Sequence, residues 1–152
     1  MDFEEWKARV PTEITKDALW RVTAYQLATY LADVCWVDVT RLMQDRRTIS
    51  LSDQLYRAIG SVGANLAEGY SIGTVPNRAR FYEYSLGSAR EARDWYFKAR
   101  HVLDADVVLA RLALLERIIQ LLLAAIPQQR ALRVREDDAK YFVDHNDGFA
   151  EQ

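Results

Sequence analysis

Four long stretches of this chain space their apolar residues three or four positions apart, and only short breaks separate them. That period is the helical one, and no stretch alternates as a strand would. The first runs from about Asp17 to Met43, with Leu19, Ala24 or Tyr25, Leu27, Ala28, Leu31, Val34, Cys35, Val39 and Leu42 on its apolar line. The second runs from about Ser52 to Tyr70. Ser50 followed by Asp53 has the form of a capping box, and Gly69 and Gly73 bracket the end. The third runs from about Val75 to Leu103, with Thr74 as N-cap and Pro76 in the first turn. The fourth runs from about Ala105 to Ile126 and is stopped by Pro127. Short linkers favour antiparallel neighbours, so the expected fold is all-α, an antiparallel up-down four-helix bundle. The bundle is assigned to residues 15–127. A lead of residues 1–14 and a tail of 128–152, basic and then acidic, read as peripheral, with Tyr141, Phe142 and Phe149 available to dock the tail.

At 152 residues, half of them apolar, the chain can bury a core as one domain. Its single cysteine, Cys35, excludes an internal disulfide framework and a multi-cysteine zinc site, and reads as a small core residue. The formal charge of −2 argues on its face against a polyanion partner. It is unevenly spread: residues 1–16 carry −1, residues 136–152 carry −5, and the span 17–135 carries +4, all its basic residues but Lys98 being arginine. The start, Met1 to Pro11, has no apolar signal segment. Val107 to Ile126 is apolar enough for a membrane check, but Arg111, Glu116 and Arg117 sit near its middle, each costing about 2.5–3.5 kcal/mol at a bilayer centre. The reading is a cytoplasmic protein with no membrane partner.

Helical-wheel geometry assigns the faces. In the second helix Leu55, Ala58, Ile59, Val62 and Leu66 form an apolar stripe beside a polar one of Gln54, Arg57, Ser61, Asn65 and Glu68, and Gly60 and Gly63 leave room for close approach of another backbone. In the third, Phe81, Tyr84, Ser88, Ala92, Trp95, Ala99 and Val102 are expected to face the core. A second face carries Arg78, Arg90, Arg93 and Arg100, interleaved with Tyr82, Leu86, Tyr96 and Phe97. Arginine among aromatics suits a subunit interface, a nucleic-acid backbone with base stacking, or a solvated face. The fourth helix is apolar nearly all round, which favours burial between subunits. Trp20, Trp36 and Trp95 read as core or interface anchors.

The run from Gln54 to Tyr70 is distinctive: Gln54, Arg57, Ala58, Ser61, Asn65, Ala67, Glu68 and Gly69 fall in one register, followed by Phe81, Tyr84, Gly87, Ser88 and Glu91. This pattern resembles the signature of the four-helix bundle family encoded in intervening sequences of large-subunit ribosomal RNA genes, over about residues 17–127. Gly63 stands where members of that family often have proline. The resemblance implies a bundle that assembles as a homopentameric barrel. The family includes the accessory variability determinant of diversity-generating retroelements, which binds a reverse transcriptase and its RNA without being a catalyst. It therefore implies a non-catalytic oligomeric accessory or scaffold, bound to itself and to RNA, DNA or a reverse transcriptase. The rival reading is a purely structural oligomer or protein-interaction module.

An enzyme is the remote alternative. Ser61, Asn65 and Glu68 share a helical face, and Glu91 could approach it, but a nucleophilic serine needs a base in hydrogen-bond reach, and the only histidines are His101 and His145. No phosphate-binding loop or paired-histidine motif occurs, and a di-iron bundle's E-x-x-H partners are missing. No cofactor or metal is expected. Gln54, Arg57, Ser61, Asn65, Glu68, Gly69, Ser88 and Glu91 are read as a structural polar network: Asn65 reaching a neighbouring helix, Glu68 pairing with Arg57 or an arginine of another subunit.

Overall fold

The computed structural model describes residues 2–72 and 74–146, with side chains for all of these except Pro76 and residues 131–146. Among them there is no strand. The elements are α1 (Phe3–Lys7), α2 (Thr12–Thr15), a 3₁₀ turn (Ala18–Arg21), α3 (Thr23–Leu42), α4 (Ile49–Ser71), α5 (Val75–Ala99) and α6 (Ala105–Asn146). The four long helices close a ring of neighbours: α3 packs on α4, α4 on α5, α5 on α6, and α6 back on α3.

The core follows the three-to-four period. Leu27, Ala28, Leu31, Cys35, Val39 and Leu42 of α3 meet Leu55, Ala58, Ile59, Val62 and Leu66 of α4, and Leu115, Ile118, Ile119, Leu122 and Ile126 of α6 complete the interior. The third helix is rotated from the expected face. Its buried line is Ala79, Tyr82, Ser85, Leu86, Ala89, Ala92, Tyr96 and Ala99, while Tyr84 is exposed and Trp95 only partly covered. Four alanines and a serine on that line admit close packing. Two evenly spaced lines were available to the periodicity, and the one with the smaller residues went inside.

Several boundaries differ from the sequence reading. Helix α3 begins at Thr23, because residues 18–21 form a 3₁₀ turn capped by Asp17, whose Oδ1 accepts from the Leu19 amide at 2.8 Å. Helix α4 begins three residues before Ser52. The Ser50–Asp53 capping box does not form. The Thr48 hydroxyl instead donates to the Leu42 carbonyl at 2.6 Å, tying the incoming loop to the end of α3. Gly69 lies within α4, and Gly73 lies outside the described residues.

Pro127 does not stop α6, which carries it within the helix and continues to Asn146. Proline in a helix interior forfeits one backbone hydrogen bond and costs about 3 kcal/mol. Just before it Ile126 is buried in the core, and just past it Arg130 forms an exposed ion pair with Glu83 of α5. The acidic tail's side chains, with Tyr141, Phe142 and Phe149, lie outside the described residues.

The N-terminal lead is more than a peripheral strand of chain. Trp6 is buried, its Nε1 donates to Asp33 Oδ2 of α3 at 2.8 Å, and its ring lies 5.3 Å from Tyr30 and 6.2 Å from Trp20. Phe3 closes the same cluster against Tyr30 at 5.5 Å.

Candidate functional site

The expected arginine–tyrosine face is divided by the fold. Tyr82 and Tyr96 are 5% and 0% exposed, so neither can stack on a base or a partner. Each lies on the buried line of α5, which the rotation of that helix brings inward. Arg78 is half-buried and donates to the Ile72 carbonyl at 3.1 Å. Arg100 lies 4.0 Å from the Phe97 ring centroid. It sits 22 residues from Arg78, about 33 Å along the helix, so the four arginines form no single patch. Arg90 and Arg93 do stand together, beside an open cleft of about 720 Å³ between α5 and α6. Phe97, Leu109, Leu112 and Ala113 give the cleft an apolar floor, and Asp94 and Glu116 balance its two arginines. Lys98 pairs with Asp94 at 2.5 Å, whereas Arg90 and Arg93 have no ion pair among the described residues.

That cleft belongs to a wider apolar face. Leu109 is 63% exposed, and Phe97 and Leu123 also stand out in solvent. A second face lies across α3 and α4. Trp36, 62% exposed, meets Tyr56 edge-on at 5.8 Å. Below them Ala32, Gly60, Gly63, Ala64 and Ala67 line a shallow trough. One face is ridged by large residues and the other grooved by small ones.

The signature residues do not form an inter-helix network within the protomer. Asn65 Nδ2 donates to the Ser61 carbonyl of its own helix at 2.8 Å, and the Ser88 hydroxyl to the Tyr84 carbonyl at 3.0 Å. Arg57 approaches Asp53 at 3.7 Å rather than Glu68, which is exposed. Glu91 accepts from Trp95 Nε1 at 3.2 Å. Gln54 is half-buried beside them. The side chains of Asn65, Ser88, Glu91 and Arg57 find their partners along their own helices because three-to-four spacing places partners there first. The signature residue with a clear packing role is Gly69. A Cβ there would lie 2.9 Å from Phe81 Cβ and 3.0 Å from Tyr82 Cδ1. The tightest approach is thus at Gly69; at Gly63 a Cβ would make ordinary contact with Ala28 Cβ of α3 at 3.9 Å, and around Gly60 there is open space within 4 Å.

The inter-helix polar cluster lies elsewhere. Arg111 of α6 donates from Nε to Asp38 Oδ2 of α3 at 2.8 Å, and the buried Tyr96 hydroxyl of α5 donates to the same oxygen at 2.7 Å. Burial pushes the adjacent Cys35 thiol up to about 12, against the opposing effect of its hydrogen bond with Tyr96. The same burial raises Tyr96, reinforced by the negative groups beside it. On α4 and α5, Ser85 adds a buried bond to the Val62 carbonyl at 2.8 Å. The signal was present: Asp38 stands three residues after Cys35 and four before Leu42, on the core line. Arg111 likewise falls between Val108 and Leu115. A charge on a core line requires a partner.

Among the described residues no three His, Cys, Asp or Glu side chains are grouped to hold a metal ion, and no helix is long and apolar enough to cross a membrane. The model of the 23S rRNA-intervening sequence protein family matches residues 21–124. The chain belongs to that family. A crystal structure of a protein of unknown function from the S23 ribosomal protein family, from Bacteroides thetaiotaomicron, has the same fold. Its TM-score is 0.64 at 17% identity, over 68% of this chain and 98% of that one. No curated protein matches.

In this intervening sequence protein the family match begins at Arg21, so the aromatic clasp around Trp6 precedes the matched region. The clasp builds a second cleft, of about 530 Å³, in which Trp6, Val10, Pro11 and Ile14 face Ala32, Asp33, Trp36 and Tyr56. Thr29 and Ala32 line both this cleft and the trough beyond it.

Proposed function

We propose that this intervening sequence protein is a non-catalytic, self-assembling scaffold of the cytoplasm. Its four long helices act as an antiparallel up-down bundle, and identical subunits close a homopentameric ring. The observation that carries this reading is the pair of unlike apolar faces, ridged across α5–α6 at Phe97, Leu109 and Leu123, grooved across α3–α4 at Ala32, Gly60 and Gly63. Large apolar side chains standing exposed on one face suit an interface. Two different faces suit head-to-tail contacts, which close into rings when the rotation allows. A sedimentation measurement on the Leu109→Glu, Leu123→Glu double variant tests it: the wild type sediments as an oligomer and the variant as a folded monomer.

A second reading has the ring act as an accessory that binds RNA, DNA or a nucleic-acid enzyme such as a reverse transcriptase. What favours it is Arg90 beside Arg93, neither ion-paired among the described residues, repeated once per subunit. Titration of RNA at two salt concentrations tests it, since phosphate contacts weaken steeply with salt. Affinity that is absent at low salt, with the oligomer intact, leaves the structural role alone.

A further inference from the structure

We infer that the cleft built by the N-terminal clasp receives an arginine from a second copy of this chain, Arg93 of the α5–α6 face; this rests on the self-assembly reading above. The cleft offers what a guanidinium binds: two exposed aromatic rings, Trp36 and Tyr56, and a fixed carboxylate, Asp33. Asp33 is held in place through one oxygen, Oδ2, by the buried Trp6 indole, which leaves Oδ1 open. The cleft runs on into the small-residue trough of α3–α4 through Thr29 and Ala32, so a subunit seated on the trough also covers the cleft. On the donor side, Arg100 is occupied by the Phe97 ring and carbonyl, whereas Arg93 projects without an ion pair at the rim of the apolar ridge. Arg9 also lines the cleft and carries a charge of the same sign as the incoming group. Its loss should therefore tighten the contact rather than weaken it.

The N-terminal segment thus becomes part of the subunit seam, which it reaches from outside the family-matched region. The test is assembly of the full chain, measured by sedimentation across concentration. Trp36→Ala, Asp33→Asn and Arg93→Asp are each expected to weaken association by about tenfold or more, and Arg9→Ala to strengthen it. Asparagine at 33 keeps an acceptor for Trp6, so that variant retains the clasp. Unchanged assembly in Trp36→Ala and Asp33→Asn, with dissociation on Leu109→Glu, Leu123→Glu, overturns the arginine contact and leaves the scaffold reading standing. A wild-type chain that is monomeric at tens of micromolar overturns both.

Discussion

Arg111 of α6 holds Asp38 of α3 through the middle of the fold, Nε to Oδ2 at 2.8 Å, and Tyr96 of α5 donates to the same oxygen. Three of the four long helices are joined at one carboxylate. Removing one partner leaves an uncompensated buried charge. Asp38→Ala is therefore expected to cost about 3–5 kcal/mol in denaturant unfolding, and Tyr96→Phe about 1–2 kcal/mol. Exchanging both Asp38 and Arg111 for apolar residues of similar size should recover part of the loss, since the buried Tyr96 hydroxyl is still left without its acceptor. A double variant as unstable as Asp38→Ala would contradict that account.

The thiol of Cys35 should be inert in the folded protein. It is fully buried, and its titration is raised from 9.0 to about 12 by that burial. At pH 8 a thiol reagent is expected to modify it only after denaturation. The sign of the linkage follows. Because the folded protein holds this proton more tightly, the stabilisation is present in full below pH 9 and falls away as the pH rises from 9 towards 12. Cys35→Ala should lessen that alkaline loss in unfolding experiments at stepped pH, leaving the part that the raised Tyr96 phenol contributes above pH 10.

Glycine at 69 and at 60 should behave oppositely. A methyl at 69 meets Phe81 Cβ at 2.9 Å, and Gly69→Ala is expected to lose about 1–3 kcal/mol as α4 and α5 are forced apart. A methyl at 60 meets nothing within 4 Å, so Gly60→Ala should gain about 0.5–1 kcal/mol of protomer stability from helix propensity. Loss of assembly in that variant would put Gly60 beneath a neighbouring subunit.

Trp6 should matter to the fold although it lies outside the family-matched region. Trp6→Ala removes a buried ring and the indole bond to Asp33, and a cost of about 3 kcal/mol is expected from cavity formation. A melting temperature unchanged from the wild type would mean that the clasp is not formed in solution.

How much of this was legible in the sequence depended on which physical signal each element sends. The stripes of α3 and α4 are readable because Leu31, Cys35, Leu42, Leu55, Ile59 and Leu66 recur at the helical period, and all are buried. In α5 aromatic residues lie on two lines, and periodicity alone could not say that Tyr82 and Tyr96 go inside while Tyr84 stays out. The end of α6 is not legible because Pro127 is a local signal, whereas the burial of Ile126 beside it is supplied only by the packed helices. The N-terminal lead was underestimated for the same reason: Trp6 finds Asp33 across a span that no local pattern reveals. The signature is a family mark, but Asn65, Ser88, Glu91 and Arg57 find their partners along their own helices. The inter-helix polar cluster came instead from Asp38 and Arg111, two charges on core lines.

The central claim is that the two unlike apolar faces meet between copies of the chain. Sedimentation equilibrium on the full-length protein, from low to high micromolar concentration, tests it most directly. A single closed oligomer is expected, converted to folded monomer by Leu109→Glu, Leu123→Glu with its helical circular dichroism retained. A wild-type protein that remains a monomer throughout that range would contradict it.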